Sequence, residues 1–210
     1  MLHIELQNIR YRNKNILSDI RIAIQKSGLY GFFGKNGAGK TTFFKALCDT
    51  IKRKGSVLYH GEELSPSDIA FVPTEPFVYE YLTTAEFYDF YSYSIIGKKS
   101  KGNTIFEIEK NKLLKECSTG TRKKAYMNAV LQFDDYKLYI FDEPFNGLDI
   151  ESNYLILEKI IALSKDNIVF ISSHIIEVIE PYLDEKFIIS NGSITHFDKN
   201  VALKSYFEKP

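Results

Sequence analysis

GLYGFFGKNGAGKTT, residues 28–42, decides how this chain reads. Residues 28–33 are an apolar, β-prone run, and residues 34–42 are a glycine-rich loop. Beyond the loop, Lys40–Ile51 reads as a helix. A glycine, four residues, then Gly39-Lys40-Thr41 is the P-loop spacing, and a strand before with a helix after is the context that pattern needs. Glycines let backbone N–H groups curl around an anion, and the helix presents its positive end to it. Gly34, Asn36, Gly37 and Gly39 are therefore candidate phosphate contacts. Lys40 would reach the β- and γ-phosphates, the Thr41 hydroxyl would ligate Mg²⁺, and Thr42 would add a contact through its N–H. The loop alone leaves kinases, GTPases and many ATPases open.

Residues 138–143, LYIFDE, supply the second half of such a site. Four apolar residues place a strand in the core, and ligands of α/β sheets bind beyond the carboxyl ends of strands. There Asp142 would hold Mg²⁺ through water, and Glu143 would aim at an attacking water as general base. Read without the P-loop, an acid pair after a strand is a weak signal, because strand ends often carry solvated acids.

The rest of the chain supports an α/β core. Strands are expected at 2–10, 16–25, 55–59, 69–72 and 168–172, and helices at about 151–164 and from about 175. Asn191-Gly192 between FIIS (187–190) and SITHF (193–197) signals a hairpin. Between these parts, helical patterns occupy 84–94 and 105–116, and a third helix follows Gly120. Strands alternating with helices argue for a largely parallel sheet. The basic run 122–124 reads as a solvated helix face, and the aromatic segment EFYDFYSYSII (86–96) reads equally as a docking surface or as helix core.

With Lys plus Arg and Asp plus Glu at 27 each, the formal net charge is zero, so no basic nucleic-acid footprint is expected. Two distant cysteines, Cys48 and Cys117, make neither a disulfide framework nor a metal cluster and suit a reducing cytoplasm. The N-terminal stretch lacks the apolar region of a signal peptide, and no run approaches the roughly 18 apolar residues of a membrane-spanning helix. Any link to a membrane would go through a partner.

Four more stretches narrow the choice: VPTEPFVYEYLT (72–83), CSTGT (117–121) before a basic helix, PFNGLD (144–149) directly after the acid pair, and SSH (172–174) ending the next strand. In this order, with GKNGAGKTT and LYIFDE, they resemble the nucleotide-binding domain of ABC ATPases over about residues 2–200. The resemblance implies one domain, 1–210, with a P-loop α/β core (about 1–75 and 125–210), an antiparallel N-terminal β-subdomain and a short helical subdomain (about 76–124). It implies that ATP and Mg²⁺ bind. Tyr11 would stack on adenine, Thr74 occupies the Q-loop position beside the metal, and His174 would be the switch histidine. Ser118 and Gly120 of the signature, with Asp149 of the D-loop, would complete the site of a second protomer. The implied function is ATP hydrolysis powering a membrane transporter, with export favoured by the loose signature. The partners would be a second ATPase domain, identical or related, and an integral membrane subunit on a separate chain. No nucleic acid is implied, and the chain would lie on the cytoplasmic face of the membrane through that subunit. A soluble ATPase serving an assembly complex, or a slow ATP-gated regulatory module, is the alternative.

The chain departs from the family pattern in three places. Cys117, Thr119 and Thr121 replace the usual Leu, Gly and Gln of the signature. Thr74 stands where a longer Gln is usual, with Glu75 or a bridging water as a possible substitute. Only 44 residues separate Thr74 from Ser118, short for the helical insertion. Slow but real ATP hydrolysis is expected.

Overall fold

The computed structural model describes residues 1–11, 14–97, 99, 102–198, 200 and 203. In chain order these form β1 (Leu2–Tyr11), β2 (Lys14–Ile24), β3 (Gly28–Phe33), α1 (Lys40–Leu47), β4 (Arg53–Tyr59), β5 (Glu62–Glu63) and β6 (Ile69–Val72). There follow α2 (Thr84–Phe90), α3 (Thr119–Leu131), β7 (Leu138–Asp142), α4 (Ile150–Ser164), β8 (Ile168–Ser172), α5 (Ile176–Ile179), β9 (Glu185–Ser190) and β10 (Ser193–Asp198).

Two sheets result. One is antiparallel, in the order β2-β1-β4-β5; the other runs β10-β9-β3-β8-β7-β6 and is parallel except for the β9-β10 hairpin. Every residue of β3, β7 and β8 is buried, as expected of strands covered on both faces. In β1, Leu2, Ile4 and Leu6 are buried and the residues between them are not, so that sheet has one covered face.

One core lies between the antiparallel sheet, α1 and one face of the parallel sheet. Phe32 is its hub, with ring centroids 4.7–5.5 Å from those of Phe43, Phe44, Phe170 and Phe187. Truncating such a ring to alanine costs about 3–5 kcal/mol. A second core on the opposite face joins Phe33 and Phe141 to Met127 and Val130 of α3 and to Ile156 and Ile160 of α4. Both cores support the carboxyl ends of β3 and β7, where the candidate site lies.

The structure shortens some expected helices and removes one. The helix after the P-loop ends at Leu47 rather than Ile51: Asp49 takes φ of 54°, and the Thr50 N–H and hydroxyl both donate to the Lys45 carbonyl, at 3.0 and 2.9 Å. The helix from 175 is one turn, followed by a 3-10 turn (Glu180–Tyr182) at Pro181, which has no N–H to continue it. In place of 84–94 there is α2, opened by a Thr83/Glu86 capping box, and then a π-helical turn (Tyr91–Ile96).

The expected helix over 105–116 does not form; only a 3-10 turn (Leu114–Glu116) is helical there. Buried Asn128 of α3 takes the N–H groups of Ile105 and Phe106 on its Oδ1 at 2.8 and 3.0 Å and donates to the Phe106 carbonyl at 2.8 Å. Farther on, the Lys110 and Lys112 carbonyls accept from Ala85 and Thr84, and Leu114 donates to the Leu82 carbonyl. The backbone groups a helix would need are already engaged in an extended path along residues 80–85. The Asn191-Gly192 hairpin forms as read, with φ of 50° and 78° at the two turn residues.

Candidate active site

Gly39 turns the chain from the glycine loop into α1 with φ of 114°, and a Cβ there would stand 2.9 Å from Ile16 Cγ2. A side chain is excluded both by this left-handed backbone and by the close approach of β2. The loop and the start of α1 border a cavity of about 380 Å³ lined by Tyr11, Ile16, Asn36, Gly37, Gly39, Lys40, Thr41, Thr42, Thr74, Glu143, Asn146 and His174. Ten of these twelve are expected site residues, drawn together from five parts of the chain. Tyr11 lines the cavity and is 44% exposed. Glu75 does not line this cavity; Thr74 does.

Lys40 is buried, and its Nζ donates to the Gly34 carbonyl at 2.8 Å, across the loop that it closes. Gly34 itself is off the cavity wall. Thr41 Oγ1 donates to Asp142 Oδ2 at 2.6 Å, and Ser172 Oγ donates to Asp142 Oδ1 at 2.6 Å. Asp142, wholly buried at the end of β7, is thus held on both oxygens.

Glu143 sits one residue beyond the strand with φ of 51°, a left-handed conformation that costs a non-glycine residue about 1 kcal/mol or more. Its N–H donates to both the carbonyl and Oγ of Ser172, at 3.2 and 3.0 Å. Its carboxylate accepts the His174 N–H on Oε2 at 3.0 Å, while His174 Nε2 stands 3.1 Å and Lys40 Nζ 4.0 Å from Oε1. None of these donors is well aligned on Oε1, so that buried oxygen keeps acceptor capacity. Burial pushes the Glu143 carboxyl above its usual range against the pull of His174 and Lys40. A carboxylate so placed is a stronger proton acceptor than an exposed one.

Ser118, Gly120 and Asp149 are not brought to this cavity. Ser118 caps α3, its Oγ accepting the Thr121 N–H at 3.1 Å. Gly120 lines a separate depression with Thr74, Asn146 and Gly147, and a Cβ on it would come within 2.6 Å of the Gly147 carbonyl oxygen. Asp149 caps α4 through the Ser152 N–H at 2.9 Å. It also accepts from Lys124 Nζ at 2.6 Å, which, with the bonds from Ser152, holds its carboxyl well below the usual range.

The basic run 122–124 is not a solvated face. Lys123 is buried, with Nζ donating to the Glu143 carbonyl at 2.8 Å and the Asn146 carbonyl at 3.0 Å. Burial pulls its ammonium down to about 8 despite the nearby Glu143 and Asp142 carboxylates. Arg122 binds Glu80 and the Leu114 and Lys115 carbonyls, and Lys124 binds Asp149. Ser172, Asn146, Ile16 and Lys123 were not anticipated as part of the site. The SSH stretch pointed to the first and PFNGLD contained the second; nothing local marked the others.

A profile of the family described as ABC transporter matches residues 17–146, more than half of the chain. The chain belongs to the ABC transporter family. It is an ATP-binding, ATP-hydrolysing subunit of that class. It is 30% identical to the SkfA peptide export ATP-binding protein SkfE of Bacillus subtilis over 90% of this chain and 86% of that one. It is 29% identical to an uncharacterized ABC transporter ATP-binding protein of Synechocystis, covering 85% of this chain but 55% of that protein's length. A solved ATP-binding subunit of an ABC transporter, 22% identical, overlays with a TM-score of 0.85 over 99% of this chain and 98% of that one, and so shares the ABC ATPase fold.

Proposed function

We propose that this ABC subunit drives export through a membrane transporter by ATP-dependent pairing of two ATPase domains, each supplying half of each site. The carrying observation is the separation just described. Lys40, Thr41, Glu143 and His174 share one cavity, while Ser118 and Gly120 are not among the residues that line it.

ATP phosphates would lie on the N–H groups of residues 34–42 with Lys40 on the β/γ oxygens, and adenine on Tyr11. Glu143 Oε1 would take the proton of the attacking water while the His174 N–H and ring hold the carboxylate in place. Ser118 and the amino end of α3 from the second protomer would offer N–H groups to the γ-phosphate. Thr41, Asp142 and Thr74 fit a magnesium ion. Thr41 and Asp142 place hard oxygens 2.6 Å apart, and among the described residues no group of three or more His, Cys, Asp or Glu could hold a metal by itself. That suits an ion shared with a nucleotide, and when bound it offsets charge on the phosphate oxygens. With Thr74 shorter than Gln, hydrolysis in the isolated chain is slow.

No helix among the described residues is long and apolar enough to cross a membrane, so the link would be to a separate membrane subunit on the cytoplasmic face. The docking surface would be the aromatic groove of about 760 Å³ between α1 and α2, where Phe87 and Tyr91 form the floor and Phe77, 73% exposed, and Tyr79 form the rim. Export is supported by the likeness to the peptide-export relative. The test is to tag the Glu143→Gln chain, purify it with ATP from detergent-solubilised native cells and identify what accompanies it. A multi-span membrane protein is the expected companion. Soluble partners alone would move the reading to an assembly-complex ATPase.

A further inference from the structure

Lys123 is a buried cation whose two hydrogen bonds both go to main-chain carbonyls of the turn after β7. Removing an ammonium from water is costly, and an apolar side chain at this place in α3 would pack without that cost. The site it serves has an unusual requirement. Glu143 is held in the left-handed region, and such a conformation persists only where the surroundings over-determine it.

Its two flanking peptides are pinned from opposite sides. On the amino side, Ser172 takes the Glu143 N–H twice. On the carboxyl side, the Glu143 carbonyl receives Lys123 Nζ at 2.8 Å and the Asn146 N–H at 3.3 Å, and Lys123 also ties down the Asn146 carbonyl. Without the ammonium, one long turn hydrogen bond is left to resist rotation of that peptide. Relaxation of φ to the right-handed region would then swing the Cα–Cβ bond, and with it the carboxylate, away from His174 and the cavity.

We infer that Lys123 is a positioning residue for ATP hydrolysis: by clamping the Glu143 and Asn146 carbonyls, it locks the left-handed backbone that aims the Glu143 carboxylate at the attacking water. This rests on the reading of Glu143 as general base. Displacing a catalytic group by about 1 Å costs up to roughly 100-fold in rate, which sets the size of the effect.

The experiment measures steady-state phosphate release, Mg-ATP affinity and ATP-dependent dimer formation in the purified chain for Lys123→Met, Lys123→Arg, Glu143→Gln and the double variant K123M/E143Q. K123M is expected to lower kcat about 10- to 100-fold with ATP affinity within about threefold of the parent, and K123R, which keeps the charge and at least two donors, to recover most of the rate. In the E143Q background K123M adds no further loss, because the group it aims is already gone, and the ATP-dependent dimer persists. Should K123M fail to fold by circular dichroism, Lys123→Gln carries the same expectations. The inference is overturned if K123M turns over within about twofold of the parent. It is also overturned if K123M/E143Q loses the ATP-dependent dimer, which would make Lys123 a prop for the amino end of α3. If E143Q alone hydrolyses like the parent, the reading of Glu143 falls instead, a result distinct from either.

Discussion

The cavity beside the P-loop and the amino end of α3 are built in opposite ways. At the cavity, charged groups are buried and each is held by several partners: Asp142 by Thr41 and Ser172, Glu143 by Ser172, His174 and Lys123. At the amino end of α3, the Ser118 hydroxyl pairs with the Thr121 N–H and hydroxyl in a helix cap. The first region is organised before any ligand arrives. The second is a helix amino end, whose first-turn N–H groups are not all satisfied within a helix, and that is what a half-site for a second protomer needs.

The contrast predicts separable failures. The largest is Glu143→Gln, which should lower phosphate release about 100- to 1,000-fold while ATP still binds, measured by steady-state release and by nucleotide titration. A rate near that of the parent would remove Glu143 from the chemistry.

Lys40→Ala and Ser118→Asp sharpen the comparison further. K40A should lose ATP binding in the monomer, by about 100-fold in Kd. S118D keeps a good helix cap but sets a carboxylate where the partner's γ-phosphate would lie. It should bind ATP as the parent does, melt within about 2 °C of it, and hydrolyse roughly 100-fold more slowly. If S118D weakened monomer binding as K40A does, the two regions would not be distinct.

Thr74 lies on the cavity wall but is short. Thr74→Gln should raise turnover about 3- to 10-fold, read as kcat in the assembled complex, by restoring a polar group within reach of metal and water.

The smallest expected effect concerns the buried ammonium. Lys123 titrates at about 8 in the folded chain, against an ordinary lysine value near 10.4 when unfolded. Between those values the unfolded chain binds more protons, so stability rises with pH through that window as the folded state sheds its buried charge. Urea unfolding should show a gain of roughly 1–2 kcal/mol from pH 8 to 9.5 that K123M lacks.

What could be read in the sequence follows the same division. That Lys40, Thr41, Asp142, Glu143 and His174 come together was legible because the glycine-rich loop and the ends of two strands carry particular residue types in a local pattern. The segment 105–116 was misread because its apolar spacing suits a helix; what overrides it is Asn128, more than twenty positions downstream, claiming the Ile105 and Phe106 amides. Lys123 was misread for a related reason. A basic run on a helix is ordinarily solvated, and the carbonyls that bury this one belong to a turn twenty residues away, with no side-chain signature. The length of the helix after the P-loop was overestimated, because a left-handed Asp49 ends it at Leu47.

Light scattering of the Glu143→Gln chain, with and without ATP, tests the account most directly. The account predicts a monomer without nucleotide, a dimer with ATP, and loss of that dimer when Ser118→Asp is added. A chain that stays monomeric in ATP, or a dimer indifferent to Ser118→Asp, would contradict the claim that each site is completed by a second protomer.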